Sequence, residues 1–192
     1  MARVAKYHHG NLRAALLDAA ASEIAEHGAG AMSLRKVAAR VGVTHPAAAH
    51  HFGDKTGVLT ALAAEGYRRL AARLREARAR GDELLESGVA YVRFAHDERA
   101  YFEVMYRPEL LHVDDPELVE AKATSSRELG ASADATVPAR ATDIARGAWS
   151  FAHGFATLWL SGNLGDLPLA AAEDEFRRVA RAFTSIGAAR GD

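Results

Sequence analysis

The chain is predicted to be all-α, about nine helices arranged in two modules, and three observations carry that prediction. Apolar residues recur at i, i+3, i+4 and i+7 along almost the whole chain, with no convincing alternating segment and no internal repeat. Gly28, Gly42, Gly53 and Gly81, with Pro108, Pro116, Pro138 and Pro168, mark breaks or starts between the periodic stretches. The charge divides as well. Residues 1–60 carry seven Lys and Arg against four Asp and Glu, a balance of +3; the remainder carries seventeen against twenty-one, a balance of −4. Six of the nine histidines also lie in the first part. A small basic domain over 1–60 is therefore expected to precede a larger acidic one over 61–192.

The first helix is expected over about Asn11 to Glu26, where Leu12, Leu16, Ala20 and Ile24 share a face, and it stops near His27-Gly28, since glycine suits a C-cap. Ser33 can cap a short second helix whose buried stripe is Leu34, Val37, Ala38 and Val41. Gly42-Val43 ends it. Thr44 caps the next, and Pro46 fits its first turn because the N–H that proline lacks has no intrahelical acceptor there. That helix finishes by Phe52-Gly53. Asp54 then caps a long helix holding Val58, Leu59, Leu62, Tyr67, Leu70 and Leu74. Further helices are expected near 83–96, 99–106, 117–133, 138–161 and 170–187. In the last, Phe176, Val179, Ala180, Phe183 and Ile186 form a stripe wide enough for a helix–helix interface.

Two short helices joined by a tight glycine-containing turn, Ser33 to Val41 and Thr44 to Phe52, have the punctuation of a helix-turn-helix, whose second helix enters the DNA major groove. Ala47, Ala48 and Ala49 keep that helix slim, and Phe52 anchors it. Thr44, His45, His50 and His51 are left to reach phosphates or base edges. The helix starts at Ser33, Thr44 and Asp54-Lys55 offer N–H groups where a phosphate can dock.

Residues 7–66 resemble the N-terminal DNA-binding domain of the tetracycline-repressor family of bacterial transcription regulators. The resemblance rests on Gly28, Ser33-Leu34-Arg35, Val37-Ala38, Gly42-Val43-Thr44, His51-Phe52 and Lys55 followed by Val58-Leu59, in that order and spacing. Farther on, Trp149, His153 and Gly154 look like the Trp-His-Gly motif of one class of C-terminal domains in the family. The resemblance implies a homodimer joined through its last two helices, with a C-terminal pocket where a small molecule relaxes DNA binding. It also implies phosphate or base contacts from Ser33, Arg35, Thr44, His45, His50, His51 and Lys55. An N-terminal arm with Arg3, Lys6, Tyr7 and His8 either adds charge beside the minor groove or is a frayed terminus. One position departs from the pattern: the family usually has a tyrosine, a common phosphate contact, where this chain has Ala49.

Tyr101, Met105, Trp149, His153, Phe155 and Trp159 are the candidate effector contacts. They line an apolar cavity suited to a hydrophobic or aromatic effector, or they make a solid core; helical spacing fits both. No metal is expected, because no HExxH pattern appears and His50 and His51 point about 100° apart on a helix. No catalytic site or cofactor is expected either: there is no GxSxG, no phosphate loop and no cysteine. The longest apolar run is too short to span a bilayer and no secretory leader is recognisable, so the expected compartment is the cytoplasm. The expected function is a sequence-specific, double-stranded-operator-binding regulator, a repressor released by a small-molecule effector. The alternative is a ligand-binding or scaffold dimer with weakened DNA binding.

Overall fold

The computed structural model describes residues 9–79, 83–136 and 138–188. Among them are nine α-helices and no strand: α1 His9–Ala31, α2 Leu34–Val41, α3 His45–Phe52, α4 Lys55–Arg78, α5 Glu83–Asp97, α6 Arg99–Met105, α7 Pro116–Thr136, α8 Ala141–Leu160 and α9 Leu169–Ala188. Single 3-10 turns at Pro108–Leu110 and Pro138–Arg140 precede α7 and α8. The N-terminal arm lies outside the described residues. The chain forms two compact units, one of Met1–Tyr67 with Arg99–Ala121, the other of Arg68–Glu98 with Lys122–Asp192.

In the first unit α2 and α3 have eight residues each, too few to be stable alone, so their helicity depends on packing. Leu16, Ala20 and Ile24 of α1 supply that packing, with Leu34 and Val37 of α2, Ala48 of α3 and Val58, Leu59 and Leu62 of α4. All are buried, and the periodic stripes of the sequence are the faces that meet.

The expected stop at Gly28 is a kink. Gly28 has φ 79° and ψ 158°, which an L side chain adopts only with strain, and one further turn runs on to Ala31. The break strands the backbone N–H of buried Ala29, which donates instead to Glu103 Oε1 on α6 at 2.9 Å. Glu103→Ala is expected to cost about 1–3 kcal/mol by leaving that N–H buried without an acceptor; a urea titration showing no loss would contradict this role. Tyr67 Oη donates to the Met105 carbonyl at 3.1 Å. Burial pushes the Tyr67 hydroxyl well up from its ordinary pKa, so it stays a neutral donor. After α6, the chain returns to α4 where His112 N–H donates to Thr60 Oγ1 at 2.9 Å.

In the second unit α5 packs against α8 and α9. Val89, Tyr91, Val92 and Phe94 of α5 are buried, as are Phe155, Ala156 and Trp159 of α8 and Phe176 of α9. Arg93 grips the buried Glu173 carboxylate with two hydrogen bonds, 2.6 and 2.9 Å, and Arg177 does the same to Glu86 at 3.1 and 3.3 Å. These forks fix the register of α9 on α5. Leu158 and Phe183 are exposed large apolar side chains of α8 and α9, Phe183 at 68%.

Candidate nucleic-acid interface

The turn between α2 and α3 is built by caps. Ser33 has extended backbone, and its Oγ accepts the Lys36 N–H at 3.5 Å. Thr44 likewise accepts from Ala47 N–H at 3.4 Å through Oγ1. Between them Gly42 takes the left-handed conformation (φ 76°, ψ 27°), its N–H bonding to Ala39 O at 3.1 Å while Val43 N–H reaches Ala38 O at 3.0 Å. Asp54 Oδ1 accepts from Gly57 N–H at 2.9 Å and so starts α4.

A charged network bolts α2 to α1. Glu23 is buried, and its carboxylate meets Lys36 Nζ at 3.1 Å and Arg40 Nε at 3.0 Å; Arg40 also forks onto Glu26. Hydrogen bonding from Lys36 holds the Glu23 carboxyl below its ordinary pKa, and hydrogen bonding from Arg40 does the same for Glu26. Glu23, Glu26 and His27 bring ligand atoms within 4.8 Å of one another, but Lys36 and Arg40 already neutralise the two carboxylates. Two of the three cations of α2 are thus paired to carboxylates of α1. The third, Arg35, is exposed and makes no ion pair among the described residues.

On α3, Ala48 is buried, His45 and His50 are exposed, and His51 and Ala49 are half-buried. At about 100° per residue His50 lies roughly 160° round the helix from Ala48, so it points straight out. The His50 and His51 rings are 5.9 Å apart, edge to face, and His51 leans on Phe52 at 6.2 Å. Phe52 in turn lies under the Arg13 guanidinium, 5.5 Å from the ring centre. Ser33, Arg35, Thr44, His45, His50 and His51 thus sit on or beside the two short helices. Lys55 differs: its Nζ donates to the Gly30 carbonyl at 2.7 Å, closing the end of α1 onto the start of α4.

The six effector candidates fall in different units. Tyr101 and Met105 are buried in the first, against Gly66 of α4. Trp149, His153, Phe155 and Trp159 belong to the second. There His153 Nδ1 and Tyr91 Oη share a hydrogen bond of 2.9 Å, and desolvation lowers the His153 pKa from its ordinary value. Trp159 donates through Nε1 to Leu167 O at 2.9 Å and stacks on His96 at 5.4 Å. The second unit also holds an open cleft of about 240 Å³ lined by Arg73, Glu76, Glu86, Val89, Arg93 and Arg177. Sequence reading missed it, because its charged residues carry ordinary helix-surface spacing.

Two family models match the chain. "Bacterial regulatory proteins, tetR family" covers residues 16–62, and "Tetracyclin repressor-like, C-terminal domain" covers residues 84–183. Among solved structures, a protein of unknown function from Rhodococcus sp. RHA1 is 33% identical, covering 90% of this chain and 97% of its own, with TM-score 0.73. The TetR-family transcriptional regulator PfmR from Thermus thermophilus is 21% identical over 85% of this chain and 93% of its own, with TM-score 0.64. A TetR-like transcriptional regulator from Rhodococcus sp. RHA1 is 18% identical over 95% and 99%, with TM-score 0.65. These last two show the shared fold. No curated protein matches.

Proposed function

The chain belongs to the tetracycline-repressor family of DNA-binding transcription regulators, and from that premise we propose that it is a homodimeric repressor released from its operator by a small molecule. Residues 1–60 form the DNA-binding domain in this reading, and 61–192 serve effector binding and dimerisation. The observation that carries it is the outward face of α3: a helix with one buried side chain, Ala48, held by two capped neighbours, presenting His45 and His50 to solvent. Ser33, Arg35, Thr44, His51 and Lys55 complete the proposed contact set, Lys55 by a further donor of its ammonium while it holds Gly30. Two such surfaces on one dimer would read half-sites about 34–36 Å apart, or a multiple of that. The effector, apolar or aromatic, is proposed to bind in the second unit, where Trp149, His153, Phe155 and Trp159 cluster on α8. An effector then acts by binding one dimer conformation more tightly than the other.

A fluorescence-anisotropy titration against the upstream promoter DNA and a scrambled duplex tests the DNA half of this reading. Tight binding that falls steeply with salt is expected for the promoter. Replacing both His50 and His51 by alanine is expected to weaken it by more than about tenfold, about 1.4 kcal/mol. Equal, weak binding to both duplexes would favour the scaffold alternative, which Ala49 supports: it presents a methyl where a phenolic donor would reach a phosphate.

A further inference from the structure

We propose that operator recognition by α3 is proton-coupled and directed at guanine: the α3 imidazoles take up protons as the helix enters the groove and donate to guanine N7 and O6. This rests on the DNA-binding reading above. Apart from Thr44, whose Oγ1 already caps Ala47, the hydrogen-bonding side chains of α3 are His45, His50 and His51 alone. The helix carries no Arg, Lys, Asn or Gln with which to fork onto a base pair. His50 points away from the core, and His45 stands at the N-terminal end, the part of a recognition helix that meets base edges. Pro46, exposed one turn before His50, offers only apolar contact, of the kind that suits a thymine methyl.

The protonation state decides what an imidazole can read. Neutral, it has one donor and one acceptor; protonated, it has two donors and a positive charge. The guanine edge presents two acceptors in the major groove, and every flanking phosphate is anionic, so DNA favours the protonated form.

The charges around α3 come from its neighbouring helices. The elements packed against α3 contribute Arg13, Asp18, Glu23, Glu26 and His27 from α1, Arg35, Lys36 and Arg40 from α2, and Lys55 from α4 beside its capping Asp54, with Lys36 and Arg40 already paired to Glu23 and Glu26. His112 lies 4.0 Å from that Asp54 carboxylate, and Arg13 pairs with Glu117 at 3.1 Å. Among the described residues no carboxylate lies within ion-pair distance of His45, His50 or His51. Because the complex binds more protons than its separated parts, affinity is gained as pH falls and lost as it rises, up to about tenfold per pH unit for each proton taken up. Imidazoles titrate between about pH 5 and 8. Glu23 and Glu26, held below the ordinary carboxylate range, stay ionised across that window, with His27 3.5 Å from Glu23 and 3.9 Å from Glu26.

The test starts from randomised double-stranded DNA selected on the full-length dimer at about pH 6. The enriched duplex is then titrated at about pH 6 and about pH 8 with the wild type, His50→Gln and His50→Arg. The expected result is guanine-containing half-sites, a wild-type affinity that rises more than about tenfold from the higher to the lower pH, and a smaller rise in both His50→Gln and His50→Arg, which keep only the protons taken up by His45 and His51. Half-sites without guanine, wild-type affinity that changes less than about twofold, or an undiminished rise in His50→Gln would overturn the proposal while leaving operator binding intact. Failure to enrich any duplex would overturn both readings together.

Discussion

Gly57→Ala is expected to destabilise the protein by on the order of 3 kcal/mol and to remove operator binding, although the substitution adds a single methyl group in a helix. Gly57 stands in the first turn of α4, where its N–H is held by Asp54 Oδ1. A Cβ built on it would lie 1.8 Å from the Phe52 carbonyl oxygen and 2.9 Å from the carbonyl carbon. Both are backbone atoms, so no rotamer change relieves the overlap. The end of α3 is itself pinned, with Gly53 N–H on Ala49 O at 2.7 Å and Asp54 N–H on Phe52 O at 3.0 Å. Something must move, and the piece that moves carries His50 and His51. Gly130→Ala is the control: it sits within α7 with nothing within 4 Å of the added carbon, and the better helix former is expected to raise stability by about 0.5–1 kcal/mol. Urea unfolding with anisotropy titration reads both effects. Full binding by Gly57→Ala would show that the α3–α4 junction relaxes at little cost.

Gly57 also shows where sequence reading stops. A cap is a local event, so Ser33, Thr44, Gly42 and Asp54 were legible: each residue type is selected by the dihedral angle or by the N–H three residues on. Most helix bounds followed from period and punctuation for the same reason, the end of α1 excepted, where the helix passes Gly28 and runs on to Ala31. Gly57 has no unusual backbone angle to announce it, and its need for glycine comes from the carbonyl of another helix.

Lys55 is a similar case. Its place at the start of α4 suggested a phosphate contact, yet the side chain is already engaged by the Gly30 carbonyl, a partner 25 residues away that no spacing rule names. Lys36 and Arg40 add to the positive count of residues 1–60, yet Glu23 on α1 holds both. Charge counting finds a basic module; only packing shows which charges remain for DNA. The aromatic set was limited in the same way. Tyr101 and Trp159 are alike in composition and period, but α6 joins the first unit and α8 the second, a division that depends on how the chain returns.

Within α8 the two tryptophans of the chain separate a core role from a candidate effector role. Trp159→Ala is expected to cost about 3–5 kcal/mol, since it empties a site only 6% exposed, removes the stack on His96 and leaves the Leu167 carbonyl without its N–H donor. Trp159→Phe keeps most of the apolar burial and is expected to lose only about 1 kcal/mol, the worth of that hydrogen bond. Trp149→Ala should stay within about 1 kcal/mol of wild type, because the indole is 39% exposed and touches His153 with ring centres 5.9 Å apart. In Trp159→Phe the remaining indole is Trp149, so its emission reports directly on the Trp149–His153–Tyr91 chain when small apolar compounds are titrated. Emission that shifts with a compound, together with the mild Trp149→Ala phenotype, would place effector recognition at this end of α8. Equal destabilisation by the two alanine variants would instead make Trp149 an ordinary core residue and send the search for the effector to the cleft between Arg73, Arg93 and Arg177.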